Sequence, residues 1–223
     1  MEYFITGIDT DIGKTFVTKS LALCSEFLGF KTGVFKPLQS GAIHSVNGLL
    51  APDLEEIKKY SKTVKTKCSY LLEGEVSPAL AARLAGVKID IKKIKSDFIE
   101  FSKDNDITFV EGAGGILAPA TDDMLCADLI KYLNIPVIIV TVPFLGRLNH
   151  TLLTVHYAKT NNIPLKGIIV NRMPAKTDNL ATNNFIKELN MYTDIPVIGR
   201  ICEVNSYEKK FIIQNFSEII KQL

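Results

Sequence analysis

Residues 6–15 read TGIDTDIGKT and lie between a short apolar run and a segment with helical spacing. Glycines allow the backbone to turn tightly, and the N-terminus of the following helix carries about half a positive charge. In such a loop Lys14 reaches the β and γ phosphates of a nucleoside triphosphate, and the Thr15 hydroxyl binds Mg²⁺. Five residues separate Gly7 from Gly13, where the general motif has four. The stretch predicts a phosphate-binding loop, or P-loop; the alternative is a plain strand-to-helix turn with a solvated Lys14.

Short β-branched or aromatic runs alternate with segments of helical spacing along the rest of the chain. The predicted strands cover residues 3–6, 32–35, 107–110, 137–142, 167–170 and 197–201. The predicted helices cover residues 16–27, 78–85, 91–102, 125–133, 152–159, 185–189 and about 207–223. The strands are apolar at consecutive positions, which is typical of a parallel sheet covered on both faces. We therefore predict an α/β, P-loop NTPase-like fold with a mostly parallel sheet and helices on both faces, as a single domain over residues 1–223.

Composition excludes several classes of protein. The 223 residues are 47% hydrophobic and 22% charged, far from a disordered or disulfide-scaffold profile. Lys plus Arg total 26 and Asp plus Glu total 24, so the net charge of +2 gives no sign of a nucleic-acid or membrane surface. The four cysteines form no Cys-x-x-Cys pair. With neither a secretory signal nor a membrane span apparent, we expect a cytoplasmic protein.

Polar residues follow the second predicted strand, and open α/β sheets bind ligands at the carboxyl ends of their strands. Lys36 would place an ammonium beside the P-loop, although a lysine there is often only solvated. Ser40 stands in a Ser-Gly pair that also suits an ordinary turn. Asp53 is either a metal ligand or a helix cap, since Glu56 three residues later completes a capping-box pattern.

Glu111 follows the apolar strand at residues 107–110 and is succeeded by Gly112, Ala113 and Gly114. P-loop enzymes need a carboxylate at the end of a neighbouring strand to hold Mg²⁺, directly or through water. Glycines let the backbone pass close to a phosphate. We interpret Glu111 as this carboxylate; the alternative is a glycine turn with a solvated glutamate.

Two later strand exits carry weaker signals. The first leads into a helix expected to start near residue 151, whose free amides suit an anion such as a substrate carboxylate. Arg147 and His150 before it are compatible with plain surface residues, and His150 has no partner at zinc-ligand spacing. At the second exit, Asn171 offers a donor and an acceptor to a nucleobase edge, but asparagine is also a common turn residue.

Taken in order, these motifs resemble those of dethiobiotin synthetases over essentially the whole chain. They are Gly7-x-Asp9-Thr10-x-x-Gly13-Lys14-Thr15, Lys36-Pro37-x-x-Ser40-Gly41, Glu111-Gly112-Ala113-Gly114-Gly115, Gly146-x-x-Asn149-His150 and Asn171. The five-residue spacing in the P-loop is a feature of that family. The resemblance implies an ATP-dependent ligase of biotin biosynthesis. Its reactants would be ATP with Mg²⁺, CO₂ or bicarbonate, and 7,8-diaminononanoate, and its products dethiobiotin, ADP and phosphate.

The resemblance also implies roles for individual residues. By this resemblance, Lys36 and Lys14 would be the catalytic residues. The nucleotide would be bound by Asp11, Ile12, Gly13, Lys14, Thr15, Phe16, Asp53, Glu111, Gly112, Ala113, Gly114, Asn171 and Arg172. The metal would be bound by Thr15, Asp53 and Glu111, and the substrate by Thr10, Ser40, Leu148 and Asn149. Family members are homodimers in which the segment matching residues 148–150 comes from the second chain. Some members have Pro-Trp near the last nucleotide contact, where this chain has Cys202-Glu203-Val204.

Two rival functions share this sheet and loop. A regulatory GTPase would carry Asn-Lys-x-Asp, whereas residues 171–174 read NRMP, without the lysine or the aspartate. A partition-type ATPase usually has a second lysine early in the loop, where this chain reads Gly7-Ile8-Asp9. A nucleotide-binding module without catalysis is a third reading, but several charged groups at one sheet edge favour an enzyme.

Overall fold

The consecutive apolar runs form a seven-stranded sheet in a computed structural model that describes residues 1–46, 48–203 and 207–223. The strands are β1 (Glu2–Gly7), β2 (Thr32–Gln39), β3 (Ile43–Ser45), β4 (Gly48–Leu50), β5 (Lys65–Leu71), β6 (Ile107–Gly115), β7 (Val137–Thr141), β8 (Leu165–Met173) and β9 (Val197–Cys202). The large sheet has the order β5-β2-β6-β1-β7-β8-β9, with parallel pairing between all neighbours. β3 and β4 form a separate antiparallel pair. The predicted parallel sheet is confirmed.

Helices cover both faces of the sheet. They are α1 (Lys14–Phe27), α2 (Pro52–Lys58), α3 (Pro78–Leu84), α4 (Ile91–Ser102), α5 (Cys126–Leu133), α6 (Arg147–Thr160), α7 (Leu180–Tyr192) and α8 (Lys209–Gln222). Apolar side chains of α1, α2 and α8 pack on one face, and those of α4 to α7 on the other. The adjacent residues Phe4 and Ile5 of β1 are both fully buried, one in each layer. Burial on both faces explains why the strand is apolar at successive positions.

Several boundaries differ from those predicted. β5, α2 and the β3–β4 pair were not predicted, because β5 is a half-exposed edge strand with polar residues and the other elements are short. β6 continues to Gly115, so Glu111 lies within the strand rather than after it. α6 begins at Arg147, after Gly146 with φ of 83°, four residues before the predicted start. Its first turn is polar and gives no helical periodicity.

Within the described ranges, none of the helices is long and apolar enough to cross a lipid bilayer.

Candidate active site

The loop between β1 and α1 depends on a contact from a distant strand. Gly13 precedes α1 with φ of 88°, a conformation that favours glycine. A Cβ atom at Gly13 would lie 2.2 Å from Nδ2 of Asn171, at the end of β8. The same Nδ2 donates a hydrogen bond of 3.0 Å to the carbonyl oxygen of Ile12. Asn171 therefore supports the loop and also requires glycine at position 13.

Lys14 points back over its own loop. It is only 8% exposed, and its Nζ donates a 2.7 Å hydrogen bond to the carbonyl oxygen of Asp9. The interpretation as a solvated lysine is therefore wrong. Burial lowers the pKa of Lys14, because removing water disfavours the charged form. None of the carboxylates that the structure describes is hydrogen-bonded to the Lys14 ammonium.

Asp9 joins the P-loop to the start of α6. Its carboxylate accepts hydrogen bonds from the Thr10 backbone N–H at 2.8 Å and from Arg147 Nη1 at 2.9 Å. The hydrogen bond from Thr10 is the main reason why the pKa of Asp9 is lowered, and the Arg147 contact adds to it. The reading of Arg147 as a plain surface residue is wrong. No signal in the sequence links two charges that are 138 positions apart.

Thr15, Lys36, Asp53 and Glu111 form one hydrogen-bonded cluster beside the loop. Thr15 Oγ1 lies 2.8 Å from Glu111 Oε1 and 3.2 Å from Asp53 Oδ1. Lys36 Nζ donates to Glu111 Oε1 at 2.8 Å and also to Asp53. Lys36 is 4% exposed and Glu111 is 1% exposed, so neither is a solvated strand-end residue. Asp53 does not cap α2, because it lies inside the helix and its carboxylate serves this cluster.

The charges of this cluster stabilise each other. Burial disfavours the ammonium form of Lys36, but the carboxylates of Glu111 and Asp53 outweigh burial and raise its pKa. Burial likewise disfavours the Asp53 carboxylate, but the Lys36 charge and hydrogen bonds outweigh it and lower the pKa. Both groups are therefore ionised at neutral pH.

The lowered pKa of Asp53 predicts a pH-dependent stability difference. A carboxylate with a lowered pKa stabilises the fold fully above its ordinary pKa, and this stabilisation is lost as the pH falls through the lowered value. We expect Asp53→Asn to be less stable than wild type at neutral pH, with the gap narrowing below about pH 4. Urea unfolding of both proteins over an acidic pH series measures the gap. A gap independent of pH would contradict the prediction.

Three oxygen-bearing side chains of the cluster fit a divalent cation. Glu111 Oε2 is buried and has no hydrogen-bond partner among the described residues, so the carboxylate retains a free acceptor. Thr15 and Asp53 supply further oxygens within the same cluster. In the part of the chain that the structure describes, no three His, Cys, Asp or Glu residues form a metal cluster. This donor set suits Mg²⁺, which takes one or two carboxylates and completes its shell with phosphate oxygens and water.

A cavity of about 400 Å³ opens at this edge of the sheet, and most of the predicted residues line it. Those residues are Thr10, Asp11, Gly13, Lys14, Thr15, Lys36, Ser40, Asp53, Glu111, Gly112, Ala113, Gly114 and Arg172. Gln39 also lines it and was not predicted. A second cavity of about 660 Å³ shares Ser40 and Asp53 with the first and reaches Glu75 and Ser77. Glu75 and Ser77 belong to no motif, so nothing in the sequence marks them as site residues.

A further cavity of about 310 Å³ lies on the other side of the loop. Its lining comprises Gly13, Phe16, Asn171, Arg172, Cys202, Glu203 and Tyr207. Gly13 and Arg172 therefore face both this cavity and the one that holds Lys14 and Lys36. Tyr207, which was not predicted, packs on Phe16 with ring centroids 5.3 Å apart. Val204 lies outside the described residues.

Three predicted residues line none of the three cavities described around the P-loop. The Ile12 side chain is buried in the core, and Ile12 contributes its carbonyl to the Asn171 contact. Leu148 and Asn149 occupy the first turn of α6; Leu148 packs on the core and Asn149 is exposed. The largest of the cavities described, about 710 Å³, lies beside Lys31 and Asp106 at the opposite sheet edge and contains no predicted site residue.

Comparison with known proteins assigns the family. A family model described as an AAA domain matches residues 1–210. The ATP-dependent dethiobiotin synthetase BioD of Anoxybacillus flavithermus is 37% identical over 213 residues, which are 95% of this chain and 96% of that protein. This chain belongs to the dethiobiotin synthetase family. The synthetase of the same name from Clostridium perfringens (strain ATCC 13124) is 35% identical over 92% of this chain and 93% of its own length.

Solved structures confirm the P-loop fold of this synthetase. The septum site-determining protein MinD of Pyrococcus horikoshii, complexed with Mg-ADP, gives a TM-score of 0.63 at 16% identity, covering 100% of this chain and 96% of that one. A ParA family ATPase from Chlorobium tepidum gives 0.58 at 15% identity, covering 99% and 91%. At these identities the likeness shows the fold alone. The synthetase therefore shares its sheet with partition-type ATPases, while its sequence relatives are ligases.

Proposed function

We propose that this protein is an ATP-dependent dethiobiotin synthetase. It carboxylates 7,8-diaminononanoate with CO₂, phosphorylates the carbamate with ATP and closes the ureido ring, releasing ADP and phosphate. The observation that carries the proposal is the buried Lys36 ammonium, held by Asp53 and Glu111 beside the P-loop of a chain from this family. We further propose that residues 1–223 act as one catalytic domain in the cytoplasm, on small-molecule substrates and without nucleic acid or membrane.

ATP fits across the two cavities that share Gly13 and Arg172. The phosphates would lie against Lys14 and the glycine-rich end of β6, and the base would lie between Phe16 and Asn171. Because Nδ2 of Asn171 already donates to Ile12, its Oδ1 is the atom that accepts from the adenine amino group. Thr15, Asp53 and Glu111 would hold Mg²⁺, which when bound neutralises charge on the β and γ phosphates.

The proposed reaction needs positive charge at the place where the carbamate anion approaches the triphosphate of ATP. One amine of the diamine adds to CO₂ and loses a proton, giving a carbamate. A carbamate oxygen then attacks the γ phosphorus as the bond to ADP breaks, which gives a carbamic-phosphoric anhydride. The second amine attacks the carbonyl carbon and loses a proton, the carbon–oxygen bond breaks with phosphate as the leaving group, and the ring closes.

Lys36 and Lys14 supply this charge. The raised pKa of Lys36 keeps it an ammonium at neutral pH, so it acts as a fixed cation and not as a general base. Lys14 and the N-terminus of α1 face the same cavity. Thr10 and Ser40 line the edge next to the wider cavity, where they would contact the diamine or its carbamate.

Isotope incorporation tests the proposed reaction. Incubation with ATP, Mg²⁺, 7,8-diaminononanoate and ¹³C-bicarbonate should give dethiobiotin carrying one ¹³C atom, detected by mass spectrometry. Omitting any one reactant should abolish the product. ATP hydrolysis that proceeds equally without diamine and bicarbonate, with no labelled product, would contradict the proposal and favour a switch ATPase.

We propose that the enzyme is a homodimer with Leu148 and Asn149 reaching the substrate of the second chain. Neither residue lines the cavity of about 400 Å³ at the P-loop, or the cavity of about 660 Å³ beside it, in its own chain. The start of α6 is flanked by exposed Leu145, and a groove of about 490 Å³ lined by Leu117 and Leu153 extends from α6 to Thr10. Exposed apolar side chains at such a groove are typical of an interface.

Subunit complementation tests this arrangement. In the proposed dimer each active site takes Lys36 from one chain and Asn149 from the other. Lys36→Ala and Asn149→Ala therefore inactivate contributions from different chains. If the site is shared, refolding the two inactive variants together should recover about a quarter of wild-type activity, because half the dimers are mixed and each has one intact site. The matched control refolds each variant alone. Failure to recover activity, despite dimers in sedimentation, would place both residues in one chain's site.

Base selectivity tests the role of Asn171. Asn171→Ala should lower kcat/KM for ATP about tenfold through loss of one buried hydrogen bond, and should narrow the preference for ATP over GTP. The substitution also removes the Ile12 contact, but that loss lowers turnover with both nucleotides alike. The ATP-to-GTP ratio therefore isolates the base contact. An unchanged ratio would remove Asn171 from base recognition.

A further inference from the structure

Lys19 is a buried lysine that takes no part in the proposed chemistry. It lies on α1, four residues after Thr15, and is 2% exposed. Its Nζ lies 3.4 Å from the ring centroid of Tyr207 and 4.8 Å from that of Tyr60. Its carboxylate partner is Glu56, with Nζ 3.4 Å from Oε2. A buried ammonium needs such partners because it has lost most of its water.

The aromatic partners of Lys19 adjoin the cavity of about 310 Å³ proposed for the adenine base, which we call the base cavity. Tyr207 lines that cavity, and its ring centroid lies 5.3 Å from that of Phe16, which lines it too. Tyr207 also packs against Tyr60, with centroids 4.8 Å apart. Tyr60 does not line the base cavity. The ammonium and Tyr60 therefore hold a wall of the cavity from behind.

The acidic partner of Lys19 lies on the same helix as Asp53, one of the proposed metal ligands. Glu56 lies on α2, three residues after Asp53. Two side-chain contacts thus join α1 to α2: Thr15 to Asp53 at 3.2 Å and Lys19 to Glu56 at 3.4 Å. Because both contacts link the same two helices one turn apart, the ion pair of Lys19 fixes how α2 presents Asp53.

We propose that Lys19 is a positioning residue for the nucleotide, joining the Tyr207 wall of the base cavity to the helix that carries Asp53. The inference rests on the proposed binding of ATP and adds a residue that touches neither the base nor the phosphates. A base bound in this cavity holds Tyr207 in its position against Phe16. Because Lys19 contacts both Tyr207 and Glu56, the bound base also stabilises the position of α2. By linkage, an intact contact to Lys19 strengthens nucleotide binding.

Calorimetric binding of Mg²⁺·ATP without diamine tests the proposal. Lys19→Met keeps the length of the side chain and removes its charge, and we expect the Kd for ATP to rise about tenfold, with the KM for the diamine unchanged. The matched control is Lys59→Met. Lys59 pairs with the other oxygen of Glu56 but is 63% exposed and contacts no ring described here, so its loss should leave the Kd at the wild-type value.

A pair of variants at Tyr60 keeps the test decisive if Lys19→Met does not fold. Tyr60 is 48% exposed, so its substitution spares the core. Tyr60→Leu removes the aromatic face and should raise the Kd for ATP about threefold, whereas Tyr60→Phe retains the face and should match wild type.

Two results would overturn the proposal. One is wild-type ATP affinity in Tyr60→Leu and in any folded Lys19→Met protein. The other is a loss that affects ATP and diamine equally, which would indicate a general structural role. A wild-type protein that binds ATP but forms no dethiobiotin would contradict the proposed function and leave this test intact, whereas one that binds no ATP would contradict both.

Discussion

Replacing Lys36 with methionine is expected to lower turnover by about 10²–10³-fold, the usual cost of losing one well-placed charge donor. The Lys36 ammonium is buried between Asp53 and Glu111 and faces the cavity where carbamate and triphosphate would meet. Without it, two carboxylates remain beside two reacting anions. Steady-state formation of dethiobiotin measures the loss, which should fall mainly on kcat. Near-normal turnover would remove Lys36 from catalysis.

Loss of stability must be separated from loss of catalysis in this variant. Removing one partner of a buried ion pair typically costs roughly 3–5 kcal/mol, and Glu111 is 1% exposed. The matched control is the double variant Lys36→Met/Glu111→Gln, which removes the buried Glu111 charge together with its cation and leaves only the partly exposed Asp53 carboxylate. We expect the double variant to regain most of the stability in urea unfolding, and it serves as a stability control only, because Glu111 is also a proposed metal ligand. If the turnover of Lys36→Met, corrected for its folded fraction, matched wild type, Lys36 would be a structural residue only.

Replacing Lys14 with methionine should produce the largest loss in ATP binding, about 10³-fold in kcat/KM for ATP, because a charge-assisted contact to phosphate disappears. The stability outcome should be the opposite of that for Lys36. Lys14 bonds to the Asp9 carbonyl rather than to a carboxylate, and burial lowers its pKa, so the loop disfavours its charge. We expect Lys14→Met to be at least as stable as wild type, as is common where a strained site serves function.

Calorimetry with ATP and urea unfolding check both parts of the Lys14 prediction. Lys62→Met is a suitable control, since Lys62 is exposed and lies outside the lining of the cavities around the P-loop. Unchanged affinity for ATP in Lys14→Met would contradict the proposed phosphate contact. A marked loss of stability in Lys14→Met would contradict the view that burial of this charge costs stability.

Much of the fold could be predicted because strands buried on both faces of a parallel sheet have apolar residues at consecutive positions. β1, β7 and β8 are of this kind, and the loop after β1 has a recognisable glycine pattern. β5 could not be found in this way, since an edge strand reading KTKCSYL looks like a loop. The start of α6 was also missed, because its first turn is polar and its boundary is set by the left-handed Gly146.

The site could be predicted only in part. Lys36, Asp53 and Glu111 each had an ordinary alternative when considered singly, and the family pattern connected them before the structure placed them together. Side-chain contacts between residues far apart in the chain could not be predicted from the sequence. The bond from Arg147 to Asp9 and the packing of Tyr207 on Phe16 in the wall of the base cavity join residues far apart in the chain, and no fixed spacing links the partners of either contact.

The central claim is that a carbamate oxygen attacks the γ phosphorus of ATP at the edge of the sheet occupied by Lys14 and Lys36. A single turnover with freshly dissolved C¹⁸O₂, diamine and Mg²⁺·ATP tests it directly, with mass spectrometry of the released phosphate. We predict that one ¹⁸O atom passes from CO₂ into phosphate and one remains in the ureido carbonyl of dethiobiotin. Phosphate free of ¹⁸O, formed together with dethiobiotin, would contradict the mechanism.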